Sequence, residues 1–162
     1  MIKLLVLDVD GTLTDGGIIL DGSGGEWKRF DIQDGMGIAR LQKNGVEVAL
    51  LSGRRSEATA GRARELGIRE VVNGITEKLP ALQSLCRSKQ VRPEEVCYVG
   101  DDLNDIECIR WSGLGVAVRN ARLDVKAAAD WITPSCGGYG AVRDVADRIL
   151  ALNGESHVPK SV

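Results

Sequence analysis

The chain has 162 residues, long enough for one domain to bury a sizeable core without disulfides or a structural metal. Lys and Arg number 21 against 23 Asp and Glu, a net charge of −2, so there is no basic surplus to hold a nucleic-acid backbone. No apolar run approaches the roughly 20 residues of a membrane span, and Asp8 interrupts the N-terminal run too early for a secretory signal.

The first predicted element is a strand, Ile2 to Leu7, aliphatic in all but one position, which ends abruptly in DVDGTLTD. Asp8 falls at its carboxyl end, where ligands bind in a parallel α/β sheet. Residues two apart on an extended chain share a side, so Asp8 and Asp10 converge, and Gly11 lets the chain turn tightly. Converging carboxylates repel unless a cation or proton intervenes, and an all-oxygen site of this kind suits magnesium. Gly16 to Ile32 then reads as a projecting β-hairpin around the glycine-rich loop Asp21 to Gly25.

A helix is predicted over Gly37 to Asn44, then a strand, Val46 to Leu51, ending in Ser52-Gly53 ahead of a helix over Glu57 to Leu66. A hydroxyl and free N–H groups before a helix N-terminus suit phosphate, although Ser52 alone reads equally as a turn residue. A short strand, Val71 to Val72, precedes a helix over Glu77 to Lys89, at whose start Lys78 offers either a charge for a phosphoryl oxygen or a solvated helix charge. The strand Val96 to Val99 ends in GDDLND, which brings Asp101, Asp102 and Asp105 to another carboxyl end; Asp102 reads as the cap of a helix over Leu103 to Trp111. A strand over Leu114 to Val118, a helix over Arg122 to Ala129, a strand at Trp131 to Ile132 and a helix over Ala141 to Leu152 complete the series.

This alternation predicts an α/β fold: a Rossmann-like doubly wound parallel sheet with helices on both faces, a projecting hairpin and no cap domain. One domain is expected over residues 1–152 and a flexible tail over 153–162. The cysteines, Cys86, Cys97, Cys108 and Cys136, form no CxxC pair and read as reduced thiols. The only histidine, His157, lies in the tail, so any acid, base or metal ligand must come mainly from carboxylates. An EF-hand would need a preceding amphipathic helix and a closing Glu, which are missing, and a receiver domain would not place GDDxxD after the lysine.

Taken in order, DVDGT, LLS, Lys78 and GDDxxD resemble the four motifs of the haloacid dehalogenase superfamily of aspartyl-phosphate phosphatases, over roughly residues 1–150. The resemblance implies that Asp8 attacks phosphorus, Asp10 protonates the leaving oxygen, and Ser52 and Lys78 hold the phosphoryl group. It also implies Mg²⁺ on Asp8, the Asp10 carbonyl and Asp101, with Asp105 in support. The hairpin with GEWKRF, the loop FDIQDGMGI, SGRR and GGYGAVRDV resemble that superfamily's capless tetrameric branch. A homotetramer is thereby implied, with neighbouring chains closing the site; charge balance and hydropathy point to no nucleic-acid or membrane partner.

The branch implies a small sugar acid phosphate as substrate. Arg54 stands where relatives acting on a nonulosonate 9-phosphate carry an acidic residue, so 3-deoxy-D-manno-octulosonate 8-phosphate is preferred, which would place the chain in lipopolysaccharide sugar synthesis in the cytoplasm. The implied substrate contacts are Asp10, Lys78, Gly53, Arg54, Arg62 and the loop Asp31, Ile32, Gln33, Asp34 and Gly35. By spacing alone, Arg62 reads equally as an ion pair with Glu65, and Asp34 as a helix cap with Gly35 turning the chain. A catalytically idle scaffold, assembled through the hairpin, is the reading from another class. Two positions depart from the branch: Ala39 precedes Arg40 where DGxGIR is usual, rotating that charge by about 100°, and Tyr139 stands where the glycine-rich motif often has arginine.

Overall fold

The computed structural model describes residues 1–154; the remainder of the tail, with His157, lies outside the described residues. Six parallel strands form one sheet in the order β5-β4-β1-β6-β7-β8: β1 (Leu4–Leu7), β4 (Glu47–Ser52), β5 (Glu70–Asn73), β6 (Val96–Gly100), β7 (Leu114–Ala117) and β8 (Trp131–Ile132). The helices are α1 (Ile32–Lys43), α2 (Glu57–Glu65), α3 (Lys78–Lys89), α4 (Ile106–Trp111), α5 (Leu123–Ala128) and α6 (Ala141–Leu152). Every residue of β1 has no exposed surface, because a central parallel strand is covered on both faces. Each such leucine or valine contributes about 1.5–3 kcal/mol of burial. The all-parallel α/β sheet expected from the alternation is therefore the one observed.

The order of strands places the chemistry. With β1 between β4 and β6, and Leu7 in register with Leu50 and Val99, the segments following these three strands emerge side by side at one edge. Those segments are the DVDG turn, the Ser52-Gly53 loop and the GDD loop.

The hairpin is present but short. Only Ile19–Leu20 (β2) and Glu26–Trp27 (β3) pair, antiparallel, with a further bridge between Thr14 and Phe30 at the base. Asp21 Oδ1 accepts from the backbone N–H groups of Ser23 and Gly25 and so closes the tip. Apart from this hairpin and α1, nothing stands between Asp15 and β4, so no cap domain is inserted there.

Among the boundaries that differ from expectation, three have a clear physical cause. Helix α1 begins at Ile32 rather than Gly37, capped by Asp31, whose Oδ1 accepts from Gln33 N–H at 2.7 Å. The expected helix over Leu103 to Trp111 is a tight turn over Leu103–Asp105 followed by α4, because the Asp105 carboxylate reaches back to the N–H of Asp102. Asn153, assigned to the tail by composition, closes α6 and exchanges two hydrogen bonds with the backbone of Ile2, each 2.8 Å.

Asp34 has a place that the local pattern hides. It lies inside α1 with no exposed surface, and its Oδ1 accepts from Arg143 N–H at 2.9 Å at the start of α6. Gly140, the residue before α6, brings no capping side chain, so the cap comes from another helix. Burial raises the Asp34 carboxyl to about 6, against the lowering effect of that N–H bond. A raised folded-state pKa means stability that is complete below the unfolded value and is lost as pH climbs through about 6. Asp34→Asn is therefore expected to match or exceed the parent at pH 8 and to fall behind it at pH 4, while Asp34→Ala loses roughly 1 kcal/mol or more at both. Thermal melts at the two pH values decide it; equal deficits for Asn and Ala would remove the cap.

Candidate active site

Asp8 follows β1 and continues the sheet by donating its N–H to Val99 O at 3.0 Å. It is 6% exposed. From Val9 to Leu13 the chain makes one wide turn in which Gly11 has φ +94°, and a Cβ there would collide with the Asp101 carboxylate. Thr14 Oγ1 fixes the turn by accepting from the N–H groups of Gly11 and Gly16 at 3.2 and 3.1 Å. The loop before α6 closes over it so tightly that a Cβ on Gly137 would overlap the Gly11 carbonyl.

Lys78 enters this edge from the first turn of α3. It is 3% exposed, and its Nζ lies 2.5 Å from Asp8 Oδ1 and 2.7 Å from Asp105 Oδ1. Burial alone would lower its pKa, but Asp8 and Asp105 outweigh that and raise it. Asp105 is saturated: Tyr98 OH donates to Oδ1 at 2.7 Å, and the N–H groups of Asp101 and Asp102 donate to Oδ2 at 3.0 and 3.2 Å.

Carboxylate oxygens of Asp8, Asp101 and Asp105 all lie within 4.8 Å of one another. Burial first, then Asp105, pushes the Asp8 carboxyl well above its usual range despite Lys78. Burial likewise raises Asp101 to about 6. Three carboxylates against one ammonium leave an excess of two negative charges in a closed space, which fits a divalent cation. Asp8 and Asp101 have lone pairs free for it, whereas Asp105 has spent its own on Lys78, Tyr98 and the backbone. The arrangement thus separates two ligands from one supporting carboxylate.

Asp10 stands apart from that network. Its Oδ1 accepts from Lys28 Nζ at 2.7 Å, and its Oδ2 lies 3.8 Å from Arg54 Nε. Ser52, 1% exposed at the end of β4, folds the next loop by donating to Arg54 O at 3.1 Å and accepting from Arg54 N–H at 3.2 Å. Gly53 between them is exposed. Arg54 pairs with Glu26 at 2.6 Å and borders a cleft of about 720 Å³ between the hairpin and the Gly53–Glu57 loop.

The remaining expected contacts divide. Asp31 caps α1 while Ile32 and Gln33 are exposed beside it. Asp34 and Gly35 are buried inside α1, which corrects the expectation of a capping Asp34 and a turning Gly35 and commits the Asp34 carboxylate to α6. Arg62 makes the anticipated pair with Glu65 at 2.9 Å and also donates to Asp31 O at 3.1 Å, leaving its buried Nε without a partner. Asp102 caps the turn after β6 by accepting from Leu103 N–H at 2.8 Å. Arg40 turns to Asp147 on α6. Where the glycine-rich loop carries Tyr139, Arg29 from the hairpin base supplies the cation, 4.3 Å over the tyrosine ring and 2.6 Å from Gly138 O.

Sequence reasoning passed over Lys28, Glu26 and Tyr98. The first two sit on a hairpin whose alternation is too short to assign an inward face, and Tyr98 reads as one more apolar strand residue.

A family model for haloacid dehalogenase-like hydrolases matches residues 64–143. The 3-deoxy-D-manno-octulosonate 8-phosphate phosphatase of Escherichia coli K12 is 41% identical over 154 residues, 95% of this chain and 82% of that protein. The structure of the Moraxella catarrhalis phosphatase of the same name, solved with a magnesium ion, phosphate and a KDO molecule, is 41% identical with a TM-score of 0.91, over 93% of this chain and 86% of that one. A cobalt-bound Haemophilus influenzae phosphatase is 38% identical with a TM-score of 0.94, over 99% and 94%. Among the described residues no helix is long and apolar enough to cross a membrane.

Proposed function

The chain belongs to the haloacid dehalogenase-like hydrolase family, and on that footing we propose that it is a Mg²⁺-dependent phosphatase of 3-deoxy-D-manno-octulosonate 8-phosphate, working through an aspartyl-phosphate. One observation carries this reading: a buried carboxylate, Asp8, is held by a buried lysine while Asp10, two residues on, lies outside that network with a separate cationic partner. Two carboxylates in such different surroundings suit two roles.

Asp8 attacks phosphorus, and Lys78 offsets the charge between them. Asp10 gives a proton to the leaving alkoxide oxygen, then takes one from the water that hydrolyses the acyl phosphate. Ser52 and the exposed Gly53 backbone receive the phosphoryl oxygens, and Arg54 faces the sugar acid carboxylate with a guanidinium fork. Asp8, Asp101 and the Asp10 carbonyl would hold Mg²⁺, which when bound screens the repulsion between nucleophile and phosphate. Arg62, with its unpartnered Nε, and the exposed loop residues Ile32 and Gln33 complete the proposed contacts, together with Asp31 and the backbone of Gly35.

We further place the enzyme in the cytoplasm as a homotetramer. Ile19, Leu20, Trp27 and Ile32 are 65%, 73%, 68% and 84% exposed on the hairpin and the adjoining end of α1, a patch that a neighbouring chain would cover.

The test is phosphate release with Mg²⁺ from eight-carbon and nine-carbon sugar acid phosphates beside hexose phosphates, on a preparation also examined by sedimentation. The expected result is a tetramer that prefers the eight-carbon substrate by about 10-fold or more and loses activity with EDTA. Equal slow hydrolysis of all would leave a phosphatase without this substrate, and an active monomer would remove the neighbouring lid.

A further inference from the structure

Lys28 is a lysine whose side chain has no exposed surface, although it belongs to a hairpin that is otherwise mostly exposed. A buried ammonium persists only with anionic or polar partners, and here they come from the DVDG turn, from α2 and from the hairpin itself. It donates to Asp10 Oδ1 at 2.7 Å and to Thr59 Oγ1 on α2 at 3.4 Å, and it lies 3.5 Å from Glu26 Oε1. Glu26 in turn binds Arg54, whose Nε is 3.8 Å from the other oxygen of Asp10. Charges thus alternate around a ring: Asp10, Lys28, Glu26, Arg54 and back to Asp10.

The two oxygens of Asp10 are therefore not equivalent. Oδ1 is occupied by an ammonium that cannot accept a proton, while Oδ2 has only a distant guanidinium edge. From this we infer that Lys28 is a positioning residue for the proton-transfer chemistry: it fixes the carboxyl of Asp10 so that Oδ2 alone exchanges the proton with leaving group and water.

Resting on the proposed phosphatase reading, the steps are these. The bond from Asp8 to phosphorus forms as the phosphorus–alkoxide bond breaks, and the proton on Asp10 Oδ2 goes to the departing oxygen. Water then attacks phosphorus, its proton returns to Oδ2, and phosphate leaves with Asp8 restored. Lys28 stays on Oδ1 throughout and holds the orientation of the carboxyl. The hairpin thus serves the reaction within its own chain, in addition to whatever surface it offers to another.

The leaving group separates this from a structural role. A sugar alkoxide needs the proton, whereas p-nitrophenolate departs without one. Lys28→Met is expected to lower first-turnover dephosphorylation of the sugar acid phosphate by about 10–100-fold, a portion of what general acid catalysis supplies, with KM little changed. The first-turnover burst of p-nitrophenolate should stay within about 3-fold. In an Asp10→Asn background the same change should add nothing, since a residue acting through Asp10 has no other route.

Equal losses on both substrates, an undiminished rate on the sugar acid phosphate, or a further loss in the Asp10→Asn background would each overturn the inference. If the methionine variant does not fold, Lys28→Arg is measured on the same two substrates. A larger deficit on the sugar acid phosphate supports positioning, and equal rates oppose it. A parent enzyme without phosphatase activity would instead sink the functional reading itself, so the two failures are distinguishable.

Discussion

Replacing Asp8 by Asn is expected to cut phosphate release by roughly 10⁴-fold or more while the chain folds as before. The side chain sits at the end of β1, 6% exposed, and carries a charge that burial disfavours. Its folded-state pKa is raised, so the protonated form contributes stability at pH values below the usual carboxylate range, and that contribution is lost as pH rises. An amide is neutral at every pH. The metal-free Asn variant should therefore melt at an equal or higher temperature than the parent at pH 8, with the difference closing in acid. The loss of one partner of Lys78 works against this gain, but Asp105 still neutralises the ammonium at 2.7 Å. Lost turnover with an unlowered melting temperature is the signature of a nucleophile. Phosphate release at the parent rate would show that another group attacks phosphorus.

Lys78→Met should behave in the opposite way, damaging both properties. Removing the ammonium leaves Asp8 and Asp105 buried with no cation between them, and breaking a buried pair from one side costs about 3–5 kcal/mol. Turnover should fall by about 10²–10³-fold, the usual range for losing one electrostatic stabiliser of a transition state. The raised pKa of the lysine means that its own protonation sets no limit below the unfolded lysine value, its contribution being lost on that side only as pH rises beyond it. The deficit should therefore be constant between pH 7 and pH 9. In acid, where the clustered carboxylates take up protons, the repulsion left by the missing ammonium falls and the variant should recover part of its stability. Denaturant titrations at pH 5 and pH 8 measure this directly. A variant as stable as the parent at pH 8 would mean that the lysine is not the counter-charge of the site.

These two residues also mark where the sequence was informative. A run of aliphatics that stops at Asp8 is visible without any structure, because an apolar run of strand length is a local property of the chain. The convergence of Asp8 with Asp101 and Lys78 was anticipated from the order of strand ends, and the strand order β4-β1-β6 is what makes it geometrically true. For α1, by contrast, the local pattern misled. Gly35 reads as a turn ahead of a helix starting at Gly37, yet both glycines are buried positions inside α1 where a larger side chain would strike Arg62 or α6.

The sequence by itself determined the alternation of strands and helices, each strand end to within a residue, and the carboxylates and lysine placed near those ends, since periodicity and turn chemistry act over a few neighbouring residues. Only the tertiary structure decided what the polar side chains of α1 and the hairpin do. Asp34 caps a helix 109 residues away, Lys28 reaches Asp10 across 18, and Arg29 meets a loop 109 residues on. Such pairings depend on which elements pack together and on a cost in buried charge that must be met by a partner. No local spacing encodes that partner.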